Sequence, residues 1–395
     1  MQSLVSSNQK SITESKMVEI GKYVPLYGSE PSFPPLGIQF QKISPYITAT
    51  VPHGNSITFK LPAGSGFLYE ASLGFNCTYT IDANDAVNAP IGINMIRSVE
   101  WLSNGQPISY KTGHAIWARM KTSNSPTFQR FASKYAKMLN PTTERVGVAT
   151  DTSFLTYCPL PESFLMEVEK SLLLNKIHDL QLRVTFNTNA ESGLINSITA
   201  FTPTLYVQTY TPELSVYQEM VSSDWSKRLV MQATNTYTEV GTLSSATSAS
   251  YTFTCPFLVY KTHIFVRGVT ATNGVGVAKF DITSITMNLN GVTFLDNMPT
   301  SRLISNASKY GVSNDLVASG DALTFDDDII TLDWGVLCKR SQNSGTAFLQ
   351  ELQGTNITCT ISNVGTAGNF RLFCVHEYFN TIAYDSGVLS IDSNN

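Results

Sequence analysis

Apolar and polar residues alternate in many short runs along the chain, which predicts β-strands. Residues 56–62 read SITFKLP and residues 250–256 read SYTFTCP, so an alternating strand ends in a proline in both places. Proline ends a strand because it has no N–H to donate to a neighbouring strand. The offset between the two runs, 250 − 56 = 194, is close to half of the 395-residue chain, which indicates a unit that occurs twice.

A hairpin pattern repeats in the same order. One apolar strand pattern leads to Asn104-Gly105 and another leads to Asn290-Gly291. Asn-Gly between apolar strands predicts a two-residue hairpin, because a type I′ turn needs positive φ at both central residues. The offset between the two hairpins is 290 − 104 = 186, slightly smaller than that between the two strands.

Each half also contains one stretch with the apolar spacing of a helix. These stretches are residues 125–139 and residues 301–310, and the second ends before Gly311, a common helix stop. Both contain the letters ASKY, at 132–135 and 307–310, with an offset of 307 − 132 = 175. The offsets fall along the chain, so the first half is predicted to have the longer connections.

These patterns predict an all-β protein with two consecutive eight-stranded jelly-roll sandwiches and short helices in the connecting loops. A duplicated unit of about 170 residues suits one domain, whereas propeller blades repeat at about 40 to 50 residues. Four prolines between positions 25 and 35 break regular structure and predict an extended arm. The predicted boundaries are an N-terminal arm at 1–44, a first jelly roll at 45–214, a linker at 215–228, a second jelly roll at 229–389 and a C-terminal tail at 390–395.

Charge and composition narrow the possible functions. Hydrophobic residues make up 42% of the chain, charged residues 14%, and the net charge is −4. A protein that coats itself with nucleic acid needs a concentrated basic surface, so no sequence-specific nucleic acid partner is expected. The first sixteen residues lack a signal-peptide pattern, and no apolar run reaches the roughly 20 residues of a membrane span. We therefore expect synthesis in a cytoplasm.

The six cysteines include no Cys-x-x-Cys pair, and most lie in predicted strands. They are expected to be buried, reduced thiols that pack as small apolar side chains. The five histidines do not have the spacing of metal ligands.

Two acidic clusters could carry chemistry. Asp326, Asp327 and Asp328 could supply oxygen ligands to calcium, but they lack the spacing and the glycine of a calcium loop, which favours a solvated turn. Glu162, Glu167 and Glu169 could contain a glycosidase carboxylate pair, although nothing in the sequence selects two of them. The sequence therefore predicts no catalytic residue, no cofactor and no enzyme.

One segment has a specific resemblance. Residues 157–164 read YCPLPESF and are followed by SLLL at 171–174 and by an alternating strand at 180–186. This order resembles a segment of the double jelly-roll major capsid proteins of large DNA viruses. The same lineage includes adenoviruses, tailless membrane-containing bacteriophages and virophages. This chain has Leu-Leu-Leu where those proteins usually have Leu-Pro.

The resemblance implies a virion protein made in the host cytoplasm. It implies homotrimers of near-hexagonal outline that tile the icosahedral shell of a DNA virus, with neighbouring trimers and minor capsid or penton proteins as partners. The arm at 1–44 would reach neighbours or an internal lipid membrane. The main alternative is a glycan-binding or glycan-processing double jelly-roll protein. A phage spike is a third possibility, but the Gly-rich repeat typical of one is not seen.

Overall fold

A computed structural model describes most of the predicted strands. The described residues are 37–46, 54–64, 66–79, 93, 95–122, 152–162, 164–165, 171–188, 198–211, 218, 229–242, 247–270, 274–275, 281–289, 292–303, 316–319, 322–325, 329–334, 347–348, 356–362 and 369–391.

The first half of the chain forms two antiparallel sheets, which together are called the first sandwich. Its strands are β1 (Gly37–Ile43), β2 (Ser56–Lys60), β3 (Phe67–Tyr79), β4 (Ile96–Ser103), β5 (Gln106–Thr112), β6 (Thr152–Pro159), β7 (Leu172–Leu173), β8 (Leu180–Phe186) and β9 (Ile198–Thr211). One sheet has the order β1-β9-β3-β6, with β7 also paired to β3, and the other has the order β2-β8-β4-β5. Helix α1 (Gly113–Lys121) follows β5 directly, and a 3-10 turn (Leu174–Lys176) follows β7.

The second half repeats this arrangement in the second sandwich. Its strands are β10 (Leu229–Val240), β11 (Ser248–Thr252), β12 (Leu258–Thr270), β13 (Gly274–Val275), β14 (Asp281–Leu289), β15 (Val292–Pro299), β16 (Leu316–Ser319), β17 (Ala322–Phe325), β18 (Ile329–Asp333), β19 (Ala347–Phe348), β20 (Asn356–Ser362), β21 (Asn369–Asp385) and β22 (Val388–Ile391). One sheet contains β10-β21-β12 with β13, β18 and β19 also paired to β12 and β22 paired to β21, and the other has the order β11-β20-β14-β15. Strands β16 and β17 form a separate hairpin.

The two sandwiches have the same strand topology. The order β1-β9-β3-β6 corresponds to β10-β21-β12-β18, and β2-β8-β4-β5 corresponds to β11-β20-β14-β15. Each sandwich therefore contains eight corresponding strands in the jelly-roll arrangement. This confirms the predicted fold of two consecutive jelly-roll sandwiches.

The repeated sequence patterns fall on corresponding elements. The run SITFKLP contains β2, and the run SYTFTCP begins within β11, which is the same strand of the second sandwich but ends at Thr252, four residues before Pro256. Asn104 and Gly105 have φ of 49° and 78° and join β4 to β5, as a type I′ turn requires. Asn290 and Gly291, which join β14 to β15, lie outside the described residues.

The helix predictions are only partly covered by the structure. Residues 125–139 lie outside the described residues, and of 301–310 only 301–303 are described, in a helical stretch that begins at residue 300. The structure adds helix α1, which the sequence patterns did not predict. A helical stretch thus begins directly after β5 and directly after β15, at residues 113 and 300.

The first strand begins earlier than predicted. Residues 37–43 were assigned to the irregular arm at 1–44, but they form β1, which pairs with β9 from Gly37 to Ile43. The segment has a strand pattern, with Ile38 and Phe40 on one face, but the prolines that precede it favoured the prediction of an irregular arm. The predicted tail at 390–395 likewise overlaps β22, which ends at Ile391.

The inner faces of the sheets form the hydrophobic core. In the first sandwich Phe75 packs edge-on against Phe186 at 5.6 Å and Trp101 packs edge-on against Phe164 at 5.4 Å, measured between ring centroids. In the second sandwich the core includes Ile264, Ile285 and Cys374, all fully buried. Within the described residues, no helix is both long and apolar enough to cross a membrane.

Candidate functional site

One sheet of the second sandwich is buried on both faces. Ile264 and Val266 of β12 face the core of the second sandwich, whereas Phe265 between them belongs to the core of the first sandwich. Phe373 and Val375 of β21 also face the first sandwich. The contact between the two sandwiches, called the joint, is therefore a continuous part of the hydrophobic core.

Helix α1 covers this outer face of the second sandwich. Trp117 packs edge-on against Phe265 with 4.8 Å between ring centroids, and His114 lies 4.3 Å from the ring of Phe373. The Thr112 hydroxyl accepts a hydrogen bond from the backbone N–H of Ala115 at 3.2 Å and thus caps the first turn of α1. Aromatic pairs of this geometry contribute about 0.5–1.5 kcal/mol beyond the area that they bury.

Hydrogen bonds surround the aromatic centre of the joint. The Thr112 and Thr238 hydroxyls are 2.8 Å apart, and the backbone N–H of Leu389 donates to the Ser103 hydroxyl at 3.0 Å. The backbone N–H of His178 donates to the carbonyl of Gly387 at 2.7 Å. These bonds fix β5 against β10, and they fix β4 and the residues before β8 against the β21–β22 hairpin.

A charged cluster is buried at one side of the joint. Arg119 of α1 lies 3.7 Å from the Glu377 carboxylate and donates from Nη1 to the carbonyl of Pro161 at 3.2 Å. His263 Nε2 lies 2.7 Å from Glu377 Oε1, and the Tyr260 hydroxyl donates to Glu377 Oε2. The Glu377 carboxylate therefore has three polar partners within the protein, which replace hydrogen bonds to water.

The pKa values in this cluster follow from burial and from the neighbouring charges. Burial by itself would raise the pKa of Glu377, but Arg119 and the His263 hydrogen bond hold it well below its usual value. Burial lowers the pKa of His263, and the Glu377 carboxylate only partly opposes this. Glu377 is therefore an anion and His263 a neutral imidazole at neutral pH.

A second buried ion pair lies within the first sandwich. Lys111 Nζ contacts Glu162 Oε2, and the Ser109 hydroxyl donates to the same oxygen at 2.8 Å. The side chains of Lys111 and Glu162 are 1% and 2% exposed. Burial lowers the pKa of Lys111, and the contact with Glu162 opposes that change.

The sequence candidates for chemistry are not brought together. Glu162 is the buried partner of Lys111, and Glu167 and Glu169 lie outside the described residues, as do Asp326, Asp327 and Asp328. The part of the chain that the structure describes contains no group of three His, Cys, Asp or Glu side chains placed to hold a metal ion. Cys158, Cys255 and Cys374 are buried free thiols, as expected.

The registers of the two sandwiches can be matched residue by residue. In both, the strand pairing skips one residue at the start of a long strand: Tyr69 in β3 and Tyr260 in β12, with an offset of 260 − 69 = 191. With this offset Ser72 corresponds to His263 and Gly74 corresponds to Phe265. The matched registers also relate the neighbouring strands, so that Tyr157, Tyr206 and Gln208 correspond to Ile329, Val375 and Glu377.

This match identifies two corresponding faces. The covered face of the second sandwich lies under α1 and comprises Thr236, Thr238, Lys261, His263, Phe265, Ile329, Val375 and Glu377. The open face of the first sandwich comprises the corresponding residues Phe40, Lys42, Glu70, Ser72, Gly74, Tyr157, Tyr206 and Gln208.

The open face contains a groove of about 450 Å³, lined mainly by Phe40, Glu70, Tyr157, Tyr206 and Gln208. Phe40 is 79% exposed, and the neighbouring Ile38 is 55% exposed. Tyr157 and Tyr206 pack edge-on, with 5.4 Å between their ring centroids. The groove is therefore an aromatic surface that the described residues leave uncovered.

Two features shape the floor of the groove. A Cβ atom added to Gly74 would lie 2.6 Å from the Tyr206 ring, so the glycine leaves the room that this ring occupies. Glu70 is partly buried, and this burial raises the pKa of its carboxyl group. A carboxylate that is partly shielded from water is stabilised by a cation placed close to it.

The sequence analysis did not predict the covered face, although the sequence contains a pattern that indicates it. Residues 263–266 (HIFV) and 372–375 (LFCV) are runs without polar alternation, which is typical of strands buried on both faces. In contrast, the partly buried Glu70 and Ser72 alternate with the buried Ala71 and Leu73 in β3. The open face therefore has the pattern of a half-exposed strand.

Comparison with solved structures finds the same fold in viral capsid proteins. The PBCV-1 virus capsid protein matches with a TM-score of 0.68 and 10% identity over 95% of this chain and 100% of that one. The Faustovirus major capsid protein matches with a TM-score of 0.62 and 10% identity, over 94% and 97% of the two chains. The mavirus major capsid protein matches with a TM-score of 0.60 and 11% identity, over 94% and 93%. The chain therefore has the double jelly-roll fold of these major capsid proteins.

No protein-family model and no curated protein sequence matches the chain.

Proposed function

We propose that the chain is a major capsid protein, a structural subunit that forms homotrimers of near-hexagonal outline and tiles an icosahedral virus shell. Its double jelly-roll fold supports this proposal, because the proteins with the same fold over nearly the whole chain are capsid subunits. Arg119, His263 and Glu377 of the joint are engaged with one another, which suits a structural role better than an enzymatic one.

One observation carries the proposal. The face that α1 covers on the second sandwich has a corresponding face on the first sandwich, and the part of the chain that the structure describes leaves that face open. The joint is heterologous, since the two sandwiches contribute different surfaces to it. A heterologous contact that is repeated between copies forms a ring if the rotation closes. Three copies would supply six sandwiches and six similar joints.

The remaining parts of the chain have proposed places in this assembly. The arm, shortened to residues 1–36 by strand β1, reaches neighbouring trimers, minor capsid or penton proteins, or an internal membrane. The domain boundaries become 37–214 and 229–391 when β1 and β22 are added to the sandwiches. The protein is made in the host cytoplasm and resides in the virion.

The oligomeric state tests the proposal. We expect light scattering on the purified full-length protein to give three times the 43.3 kDa mass of the single chain. Negative-stain images should show particles with a hexagonal outline. A monodisperse monomer at a chain concentration of tens of micromolar would contradict the proposal.

The alternative of a glycan-binding protein has one observation in its favour. Tyr157, Tyr206 and the Glu70 carboxylate share one groove, and aromatic rings with carboxylates also occur in sugar sites. However, the corresponding surface of the second sandwich is covered by protein, which favours a protein occupant here. Binding of the trimer to a glycan array through this groove would support the alternative.

A further inference from the structure

We propose that the joint is an acid-sensitive contact, in which helix α1 separates from the covered face while both sandwiches remain folded. The group that takes up the proton is His263, which lies in the covered face beneath the helix. This inference concerns a contact within one chain, so it does not rest on the proposed trimer.

Both ring nitrogens of His263 are engaged in the closed joint. The side chain is 0% exposed, Nε2 lies 2.7 Å from Glu377 Oε1, and Nδ1 lies 3.0 Å from the Thr331 hydroxyl oxygen. Because a carboxylate only accepts hydrogen bonds, Nε2 carries the proton and Nδ1 accepts from Thr331. A second proton on Nδ1 would turn this acceptor into a donor, and the Thr331 hydroxyl would have to turn away. The closed joint therefore fits a neutral imidazole.

The charges around His263 also oppose its protonation. Arg119 of α1 lies 3.7 Å from the Glu377 carboxylate, which it shares with His263. Lys261 of β12 belongs to the same face and is a second cation that acts on His263. A protonated His263 would be the third cation around one buried carboxylate. Like charges repel more strongly away from water, so the closed joint disfavours this state.

The other titratable groups beside this cluster do not offset the added charge. Lys111 of β5 is itself a cation, and its counter-charge Glu162 is already paired with it. Tyr260 donates a hydrogen bond to the carboxylate of the cluster. His114, in the first turn of α1, can add a positive charge on acidification but no negative one. Protonation of the buried imidazole therefore leaves the joint with an excess of positive charge.

Opening of the joint removes this obstacle. In the closed joint burial lowers the pKa of His263, Glu377 opposes this change, and Lys261 and Arg119 lower the pKa further. In the open joint the ring meets water, and its pKa returns toward about 6.5. The open form thus binds the proton more tightly. The equilibrium constant for opening should therefore rise by up to about tenfold for each pH unit below about 6.5.

The joint can open without unfolding of the second sandwich. His263 and its strand partner Val375 face the first sandwich, whereas the adjacent residues Ile264 and Cys374 lie in the core of the second sandwich. Separation of α1 from the covered face exposes the first pair and leaves the second pair buried. Neighbouring positions of β21 therefore report on two different events.

Thiol labelling of the full-length protein tests the proposal. Val375→Cys places a small thiol on the covered face, next to the native Cys374 on the opposite face. Mass spectrometry resolves the two sites, and each rate is divided by that of the same thiol in urea-unfolded protein at the same pH. Between about pH 7 and about pH 5 the corrected rate at position 375 should rise about tenfold. Cys374, which requires unfolding of the second sandwich, should be labelled at least about tenfold more slowly than position 375.

Two histidine variants of the Val375→Cys protein separate this imidazole from the general effect of acid. His263→Gln cannot take up the proton, so the corrected rate at position 375 should change by less than about twofold over the same range. His178→Gln is the matched control, because this histidine is exposed beside Gly387 at the margin of the joint. The tenfold rise should remain in that variant.

A further variant protects the test against misfolding. Circular dichroism at neutral pH establishes whether each protein folds. Lys261→Gln changes only a half-buried side chain and removes one of the cations that act on His263, so it should give a smaller rise at position 375.

The inference is overturned by a corrected rate at position 375 that does not rise on acidification, or by Cys374 labelled as fast as that position. It is also overturned if His263→Gln keeps the full rise or, where that variant does not fold, if Lys261→Gln does. None of these results concerns the oligomeric state, which tests the proposed function separately.

Discussion

Lys111 and Glu162 form the most deeply buried charge pair among the described residues. Both side chains are almost fully excluded from solvent, and Ser109 adds a hydrogen bond to the carboxylate. Taking two charges out of water is costly, so such a pair adds little to stability but becomes strongly destabilising when one partner is removed. The pair therefore acts mainly by fixing the residues around Glu162, which follow β6, against β5.

We expect Lys111→Met to lower the free energy of unfolding by about 3–5 kcal/mol, because it leaves the Glu162 carboxylate buried without a counter-charge. The double variant Lys111→Met with Glu162→Gln should recover most of this loss, since the neutral amide still accepts from Ser109. Urea denaturation followed by fluorescence measures both variants. A single variant as stable as the original protein would show that Glu162 finds solvent or another partner.

The sequence could not predict this pair. Lys111 and Glu162 are far apart along the chain, and neither has a pattern that distinguishes it from a surface residue. Glu162 instead suggested a carboxylate pair with Glu167 or Glu169. A buried charge is recognisable only when the packing that surrounds it is known.

Strands and hairpins were the elements that the sequence predicted best. Strands β2 and β11 and the turn at Asn104-Gly105 have local causes, namely side-chain alternation in the two strands and positive φ in the turn. Helix α1 was missed because it begins with glycine directly after a strand, without the usual apolar spacing. The open and covered faces depend on contacts between distant segments, which a local pattern does not contain.

Substitutions at Asn104 and Gly105 test the type I′ turn between β4 and β5. Gly105 has φ of 78°, and a Cβ atom added there would meet no heavy atom within 4 Å. Gly105→Ala should therefore cost only the backbone penalty, about 1–2 kcal/mol in unfolding free energy. Asn104→Gly keeps a residue that favours positive φ and should change stability by less than about 1 kcal/mol. Thermal denaturation compares the two, and equal stability of both variants would contradict the type I′ assignment.

At the scale of the whole molecule, the joint makes one body of two sandwiches. Phe265 and Phe373 are buried against the first sandwich, and the Arg119, Glu377 and His263 cluster closes one side. The charge states of this cluster change with pH, and the stability of the fold changes with them. Within this cluster, the contribution of His263 changes at a higher pH than that of Glu377, because the usual pKa of histidine is the higher one.

We expect stability to fall on acidification in two steps. The pKa of His263 lies below its usual 6.5, so the unfolded chain takes up a proton near pH 6.5 that the folded chain does not, and stability declines below that pH. The pKa of Glu377 lies well below its usual 4.5, so its contribution is present above pH 4.5 and is lost as the pH falls further.

His263→Gln isolates the first step. The variant should be less stable than the original protein near pH 7, because the hydrogen bond to Glu377 is weakened. Its unfolding free energy should nevertheless decline less between about pH 7 and about pH 5. Denaturant titrations at a series of pH values measure the slope. An unchanged slope would show that another group controls the acid response.

Covalent linkage of the two sandwiches has a consequence for the speed of assembly. The joint within each chain forms between tethered partners, whose effective concentration does not depend on how much protein the cell contains. In the proposed ring, three of the six contacts are therefore complete before any molecule meets another. Only three chains have to collide, where a protein with one sandwich would need six. Assembly of the ring then has a lower order in protein concentration, so shells can begin to form at an earlier stage of synthesis.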